Sequence, residues 1–191
     1  MKKPRARVLP AILLLVTLIA ITAVLKGPEL SLWVMEQLYP RRFSGTVSRE
    51  AEEFGVPEPL VYAVIRAESG FDPNARSRAD ARGLMQLTGE TFQWMAGEHP
   101  PENGGTDRYD PDDNVHCGCA LLRRLLDHYG EPETALAAYN AGMGNVDKWL
   151  SQPEHSGDGR TLSSIPFPET AAYVKKVMKN WRIYEKLYPE G

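Results

Sequence analysis

The stretch 62-YAVIRAESGFDP-73 ends an apolar run with an acid, Glu68, set directly before Ser69-Gly70. On a helix, residues three, four and seven apart share a face. Glu68 therefore falls in line with Ile65, Val64 and Val61. A carboxyl on a buried face is disfavoured in its charged form, so its pKa rises. Such a group stays protonated near neutral pH and can donate a proton. Taken alone, the helix also allows a plainer reading: Glu68 paired with Arg66, Arg76 or Arg78, or frayed at a helix end.

Other reactive residues are less suggestive. Asp72 and Asp80 lie in a turn-rich loop and read as turn caps or solvated groups. Asp112, His116 and Cys119 stand at i, i+4 and i+7, an imperfect spacing for a closed site, and no metal is expected. His99 and His155 fall in polar loops and read as solvated. There is no HExxH, no P-loop and no dinucleotide fingerprint, so no cofactor is expected. Cys117 and Cys119 are too close to staple a domain, which excludes a disulfide framework.

The elements that must position Glu68 are helical. Ser48 opens a helix with Ala51 and Phe54 on one face. Pro57 and Pro59 suit the first turn of the helix that runs to Glu68. Residues 70–87 read as irregular. Thr88 can cap a short helix, Glu90 to Ala96. Asp110 or Asp112 caps a long helix that reaches about Tyr129 and stops at Gly130. Shorter helices follow over Glu133 to Asn140 and Asn145 to Leu150. A polar loop, 151–166, precedes a last helix from about Glu169 to Leu187, with Tyr173, Val177, Trp181, Tyr184 and Tyr188 at helical spacing. The fold class is mainly α, with at most a small β ribbon in 70–87 or 100–108.

The N-terminus is of another kind. Residues 8–25, VLPAILLLVTLIAITAVL, carry no charge and follow the basic tip 1-MKKPRAR-7. That length meets the lower edge of a membrane span. The positive-inside rule keeps the tip cytoplasmic and exports the body. Residues 1–25 are thus expected to be a tip and transmembrane helix, 26–42 a linker and 43–191 the functional domain. A cleaved signal peptide is the alternative, although its apolar core would be shorter and Ile21-Thr22-Ala23 is a weak cleavage site. Leu30 to Leu38 could form a short amphipathic helix at the membrane face, or a plain stalk. Formal charge is −3. The tip holds four cations and no acid, which leaves −7 on the rest and argues against nucleic acid as a partner.

Beyond these readings, the body resembles a known family. The matching residues are Glu68-Ser69, Asn74-Ala75 with Ser77, and 83-GLMQ-86. They continue with 110-DPDDNV-115 and Gly118, 138-AYNAG-142 with Gly144 and Val146, and 168-PETAAYV-174. In this order and spacing they resemble the Slt-type lytic transglycosylases, whose catalytic domain is goose-lysozyme-like. The resemblance implies a lysozyme-like α+β domain. It implies cleavage of the β-1,4 bond between N-acetylmuramic acid and N-acetylglucosamine in peptidoglycan glycan strands. It further implies a 1,6-anhydro-muramic product. Glu68 would protonate the leaving oxygen, then take the proton of the muramic C6 hydroxyl as that oxygen attacks C1. Most glycosidases use two carboxyls; this family uses one. Ser77, Gln86, Tyr139, Asn140 and Tyr173 would line the cleft, with Tyr173 directed at the catalytic acid.

Two departures stand out. The family usually has glycine where Asp80 stands, and Met-Pro where this chain has Thr88-Gly89. Three functions stay open: the lytic transglycosylase, a hydrolytic muramidase on the same fold, and a peptidoglycan-binding or scaffolding module. A partner in a cell-wall machine is compatible with each, and nothing in the sequence names it.

Overall fold

In the computed structural model, the residues described are Thr17, 32–102 and 104–189. The chain divides into two compact units, Met1–Pro40 and Arg41–Gly191. Of the first, residues 32–38 are helical, with Leu32, Trp33, Val34 and Leu38 exposed. The expected transmembrane helix over 8–25 lies outside the described residues, Thr17 excepted. Among the described residues no helix is long and apolar enough to cross a membrane.

The second unit is built from helices. They are α1 (Ser44–Phe54), α2 (Glu58–Glu68), α3 (Gly89–Glu98), α4 (Pro111–Tyr129), α5 (Pro132–Ala141), α6 (Met143–Leu150) and α7 (Pro168–Leu187). Local signals explain most of their ends. Asp110 accepts hydrogen bonds from the backbone N–H groups of Asp112 and Asp113 and so caps α4. Thr88 caps α3 by accepting from Thr91 N. Prolines stand in the first turns of α2, α4, α5 and α7, where the missing N–H has no intrahelical partner to lose. One start is misread from sequence. α1 begins at Ser44, not Ser48. The run Ser44-Gly45-Thr46-Val47 has weak helix propensity, but Val47 is fully buried, and packing decides the matter.

The core centres on α4, whose residues Asp113 to Leu122 are all buried. α4 packs on α1, α3 and α5, while α2 packs chiefly on α7. Leu60, Val61, Val64 and Ile65 of α2 are wholly buried, each worth roughly 1.5–3 kcal/mol on transfer from water. Across the α2–α7 contact, Tyr62 and Tyr184 stack with ring centroids 5.3 Å apart. α5 joins the assembly by packing on α7 and α6. The expected β ribbon reduces, among the described residues, to isolated bridges Arg76–Arg82 and Arg82–Leu87.

Candidate active site

Glu68 is the last residue of α2 and is half-buried. Four hydrogen bonds stop the helix just past it. Ser69 N and Gly70 N donate to Ile65 O at 3.0 and 3.2 Å. Ser69 Oγ donates to the same carbonyl and accepts from Phe71 N at 3.1 Å. Phe71 then adopts φ 70°, a costly conformation for a bulky residue. Burial of its ring, 6.3 Å from that of Tyr62, holds it there. The abrupt end leaves the carboxyl at a helix terminus instead of inside a continued core helix.

Burial, Tyr173 and Lys176 set its electrostatics. Burial is the largest influence and raises the Glu68 pKa from 4.5 to about 7. Hydrogen bonding from Tyr173 and the charge of Lys176 act in the opposite direction without cancelling it. The Tyr173 hydroxyl is itself buried and finds no partner at full hydrogen-bond geometry among the described residues. It also senses Glu68, after burial, as a charge and a bonding partner. Together these place the hydroxyl beside the carboxyl. Lys176, one turn further along α7, donates to Ala67 O at 2.7 Å and ties α7 to the end of α2. From α5, Tyr139 also lies in the field of Glu68, and its hydroxyl donates to Met85 O at 2.8 Å.

The loop after Glu68 is knitted to α4. Asn114, fully buried, accepts from Met85 N at 2.7 Å and donates to the carbonyls of Arg82 and Arg108 at 3.0 and 2.8 Å. Gly83 has φ 77°, and a Cβ there would stand 2.2 Å from Arg108 O, so both space and conformation require glycine. Gln86, at φ 50°, donates its amide nitrogen to Ala75 O and Gly83 O at 3.0 and 2.9 Å. The nitrogen is thereby committed, and the amide oxygen is the group it has for a ligand. Leu84 and Met85 are wholly buried.

The other expected cleft residues divide. Asn140 is exposed and its Oδ1 accepts from Thr170 Oγ1 at 2.8 Å, which closes α5 on the start of α7. Ser77 organises a turn: its Oγ accepts from Ala79 N and Ala81 N at 3.2 and 3.1 Å. Its exposed hydroxyl keeps a proton to donate.

Asp80 is no isolated acid. It adopts φ 60°, the region in which a glycine would be at ease. Its carboxylate binds Arg76, Arg82 and Arg108 at 2.7, 2.9 and 3.0 Å. Hydrogen bonds from Arg82 and Arg108 hold its pKa down at about 2. Asp72 accepts from Asn74 N at 2.9 Å, as a turn cap does. His155 is not simply solvated, for it is half-buried and pairs with Ser164 Oγ at 2.8 Å.

The trio Asp112, His116 and Cys119 is not gathered as a ligand set. Asp112 binds Thr46 and Arg49, and Cys119 is wholly buried. His116 Nδ1 meets Glu50 Oε2 at 2.7 Å and Nε2 meets His99 O at 3.1 Å. Glu50, Glu53 and His116 have potential ligand atoms within 4.8 Å of one another. Both ring nitrogens of His116 are nonetheless engaged, and the pair Glu50–His116 pins α1 to α4. The hydrogen bond to Glu50 raises the His116 pKa against the effect of burial.

Sequence reasoning passed over Phe71, Lys176, Thr170 and the role of Asn114. Lys176 was within reach of it, since it stands three residues from Tyr173 on one helix. The others act through backbone geometry and long-range bonds that leave no local pattern.

Comparison with known proteins gives the family of the chain. The transglycosylase SLT domain family matches residues 45–160. The soluble lytic murein transglycosylase of Escherichia coli (strain K12) is 30% identical over 148 residues, which are 75% of this chain and 23% of that protein. The membrane-bound lytic murein transglycosylase F of Desulfosudis oleivorans is 38% identical over 120 residues, 58% of this chain and 25% of the relative. Among solved structures, an inactive glutamate-to-glutamine form of the lytic transglycosylase Slt from Pseudomonas aeruginosa superposes with a TM-score of 0.69. It is 31% identical and covers 80% of this chain and 25% of that one. The chain spans about a quarter of the length of these relatives.

Proposed function

The chain belongs to the transglycosylase SLT domain family, and on that premise we propose that it is a peptidoglycan lytic transglycosylase with Glu68 as its single general acid and base. The observation that carries this reading is the Glu68 carboxyl at the end of α2, its pKa raised to about 7 by burial beside Tyr173. A carboxylic acid with that pKa is protonated in about half of the molecules at neutral pH, which suits a proton donor. In the first step Glu68 protonates the glycosidic oxygen between N-acetylmuramic acid and N-acetylglucosamine, and the C1–O bond breaks. In the second, the resulting carboxylate takes the proton of the muramic C6 hydroxyl, whose oxygen bonds to C1. The 1,6-anhydro ring results, and Glu68 is left protonated as it began. Tyr173 and Lys176 stabilise the carboxylate between the two steps. Gln86 Oε1, Ser77 Oγ, Tyr139 and Asn140 position the sugars.

The body acts on the extracytoplasmic side, held by the uncharged stretch 8–25 as a single-pass anchor. The basic tip before that stretch supports this orientation. Turnover of purified glycan strands by Glu68→Gln tests the assignment. Loss of roughly 10²–10⁴-fold is expected for removal of a general acid and base, with the fold retained. Near-wild-type turnover would leave the cleft as a binding module.

A further inference from the structure

The body is acidic overall, yet one face of α7 is not. Lys175, Lys179, Arg182 and Lys186 stand at i, i+4, i+7 and i+11, and all four are exposed. That spacing puts them in one row on a helix, roughly 16 Å long. None of the four makes a hydrogen bond or ion pair with the described residues. The acids of α7, Glu169 and Glu185, lie off that row. Lys175, Lys179 and Arg182 border a groove of about 690 Å³ whose apolar wall includes Leu162, Ile165, Met178 and Ile183. Glu133 is the acid among its lining residues.

A row of cations above apolar side chains complements a surface with anions outside and hydrocarbon beneath. The chain itself brings such a surface within reach. Residues 26–40 separate the uncharged stretch from the second compact unit. Even fully extended they span only about 50 Å. Within them, Leu32, Trp33 and Leu38 are exposed, and such side chains settle at a membrane interface.

We propose that this face of α7 rests on an anionic bilayer. Lys175, Lys179, Arg182 and Lys186 meet the headgroup phosphates, and Met178 and Ile183 reach the boundary with the acyl chains. The proposal rests on the anchor reading of 8–25, not on the sugar chemistry of Glu68. It has a functional consequence. Tyr173 precedes Lys175 by two residues, a turn of roughly 200° about the helix axis. With the cationic row against lipid, the side of α7 that meets Glu68 is turned away from the membrane, towards the wall.

The test uses the full chain in nanodiscs of neutral lipid, or of neutral and anionic lipid mixed equally. The rates at which a water-soluble amine-reactive ester modifies Lys175, Lys179 and Lys186 are each divided by the rate at exposed Lys148 on α6. On anionic discs these ratios are expected to fall about fivefold or more. They should recover in 1 M salt, where the Debye length is about 3 Å. Arg182→Glu should move the Lys175 and Lys179 ratios back towards their values on neutral discs. Equal ratios on the two kinds of disc would overturn the proposal, as would failure of the chain to sit in the discs. Turnover of short soluble glycan strands by the same samples reads the Glu68 chemistry separately and should be unchanged by Arg182→Glu.

Discussion

Tyr173 of α7 stands beside Glu68 at the end of α2, where burial outweighs both the tyrosine and Lys176 in setting the acid's pKa. The site therefore holds a carboxyl that the folded protein prefers neutral, and consequences for stability and rate follow.

Stability should fall as pH rises through this group. The folded pKa, about 7, lies above the ordinary 4.5, so between those values the folded state binds more protons than the unfolded one. Stability is then lost with rising pH. Glu68→Gln removes the ionisation. Urea unfolding should show the variant more stable than wild type at pH 8, by up to about 3 kcal/mol, with the gap closing near pH 4. A variant less stable at pH 8 would mean that Glu68 is held as a favourable carboxylate.

Catalysis should lose its acid over the same range. Wild-type kcat/KM is expected to fall above about pH 7, roughly tenfold per unit. Tyr173→Phe removes the donor that lowers the Glu68 pKa, so its basic limb should move to higher pH even as the rate maximum drops. Lys176→Met should shift the limb in the same direction. A pH profile of each variant decides the point, because a tyrosine that only packs would lower the rate and leave the limb in place.

Asn114 should matter to the stability of the 83–86 segment. Asn114→Ala leaves Met85 N and the carbonyls of Arg82 and Arg108 without their buried partner. A cost of about 2–4 kcal/mol is expected by denaturant unfolding. Asn114→Asp keeps the acceptor for Met85 N, loses both donors, and should fall between. Equal stability of Asn114→Ala and wild type would show that the 83–86 segment is held by other means.

Asp80 should behave as a backbone residue first. Its positive φ favours glycine, so Asp80→Gly should keep turnover and melt above Asp80→Ala, which loses the arginine contacts and keeps the strain. With its pKa depressed to about 2, the carboxylate's contribution is present above about pH 4 and lost as pH falls through about 2. The pH optimum of Asp80→Gly should thus match wild type. A displaced optimum would give Asp80 a direct part in the chemistry.

The helices that carry Glu68 and the mainly helical fold were legible because each leaves a local mark. The periodic apolar face marks α2, the Asp110 cap and Gly130 stop mark α4, and ordered short motifs mark the family. What escaped was set by contacts distant in sequence. α1 starts at Ser44 only because Val47 finds a core. Phe71 tolerates its backbone only because its ring is buried. Ser77, expected from the resemblance to line the cleft, is first the acceptor for two backbone N–H groups. The Asp80 departure from a glycine pattern becomes intelligible once its φ and three arginine partners are seen together.

The most direct test is mass analysis of the muropeptides that wild type and Glu68→Gln release from purified peptidoglycan. With Glu68 acting as acid and then base towards the C6 hydroxyl, wild type should release muramic ends lighter by one water, as 1,6-anhydro rings, and Glu68→Gln should release almost none. Reducing muramic ends from wild type, or abundant anhydro ends from Glu68→Gln, would contradict it.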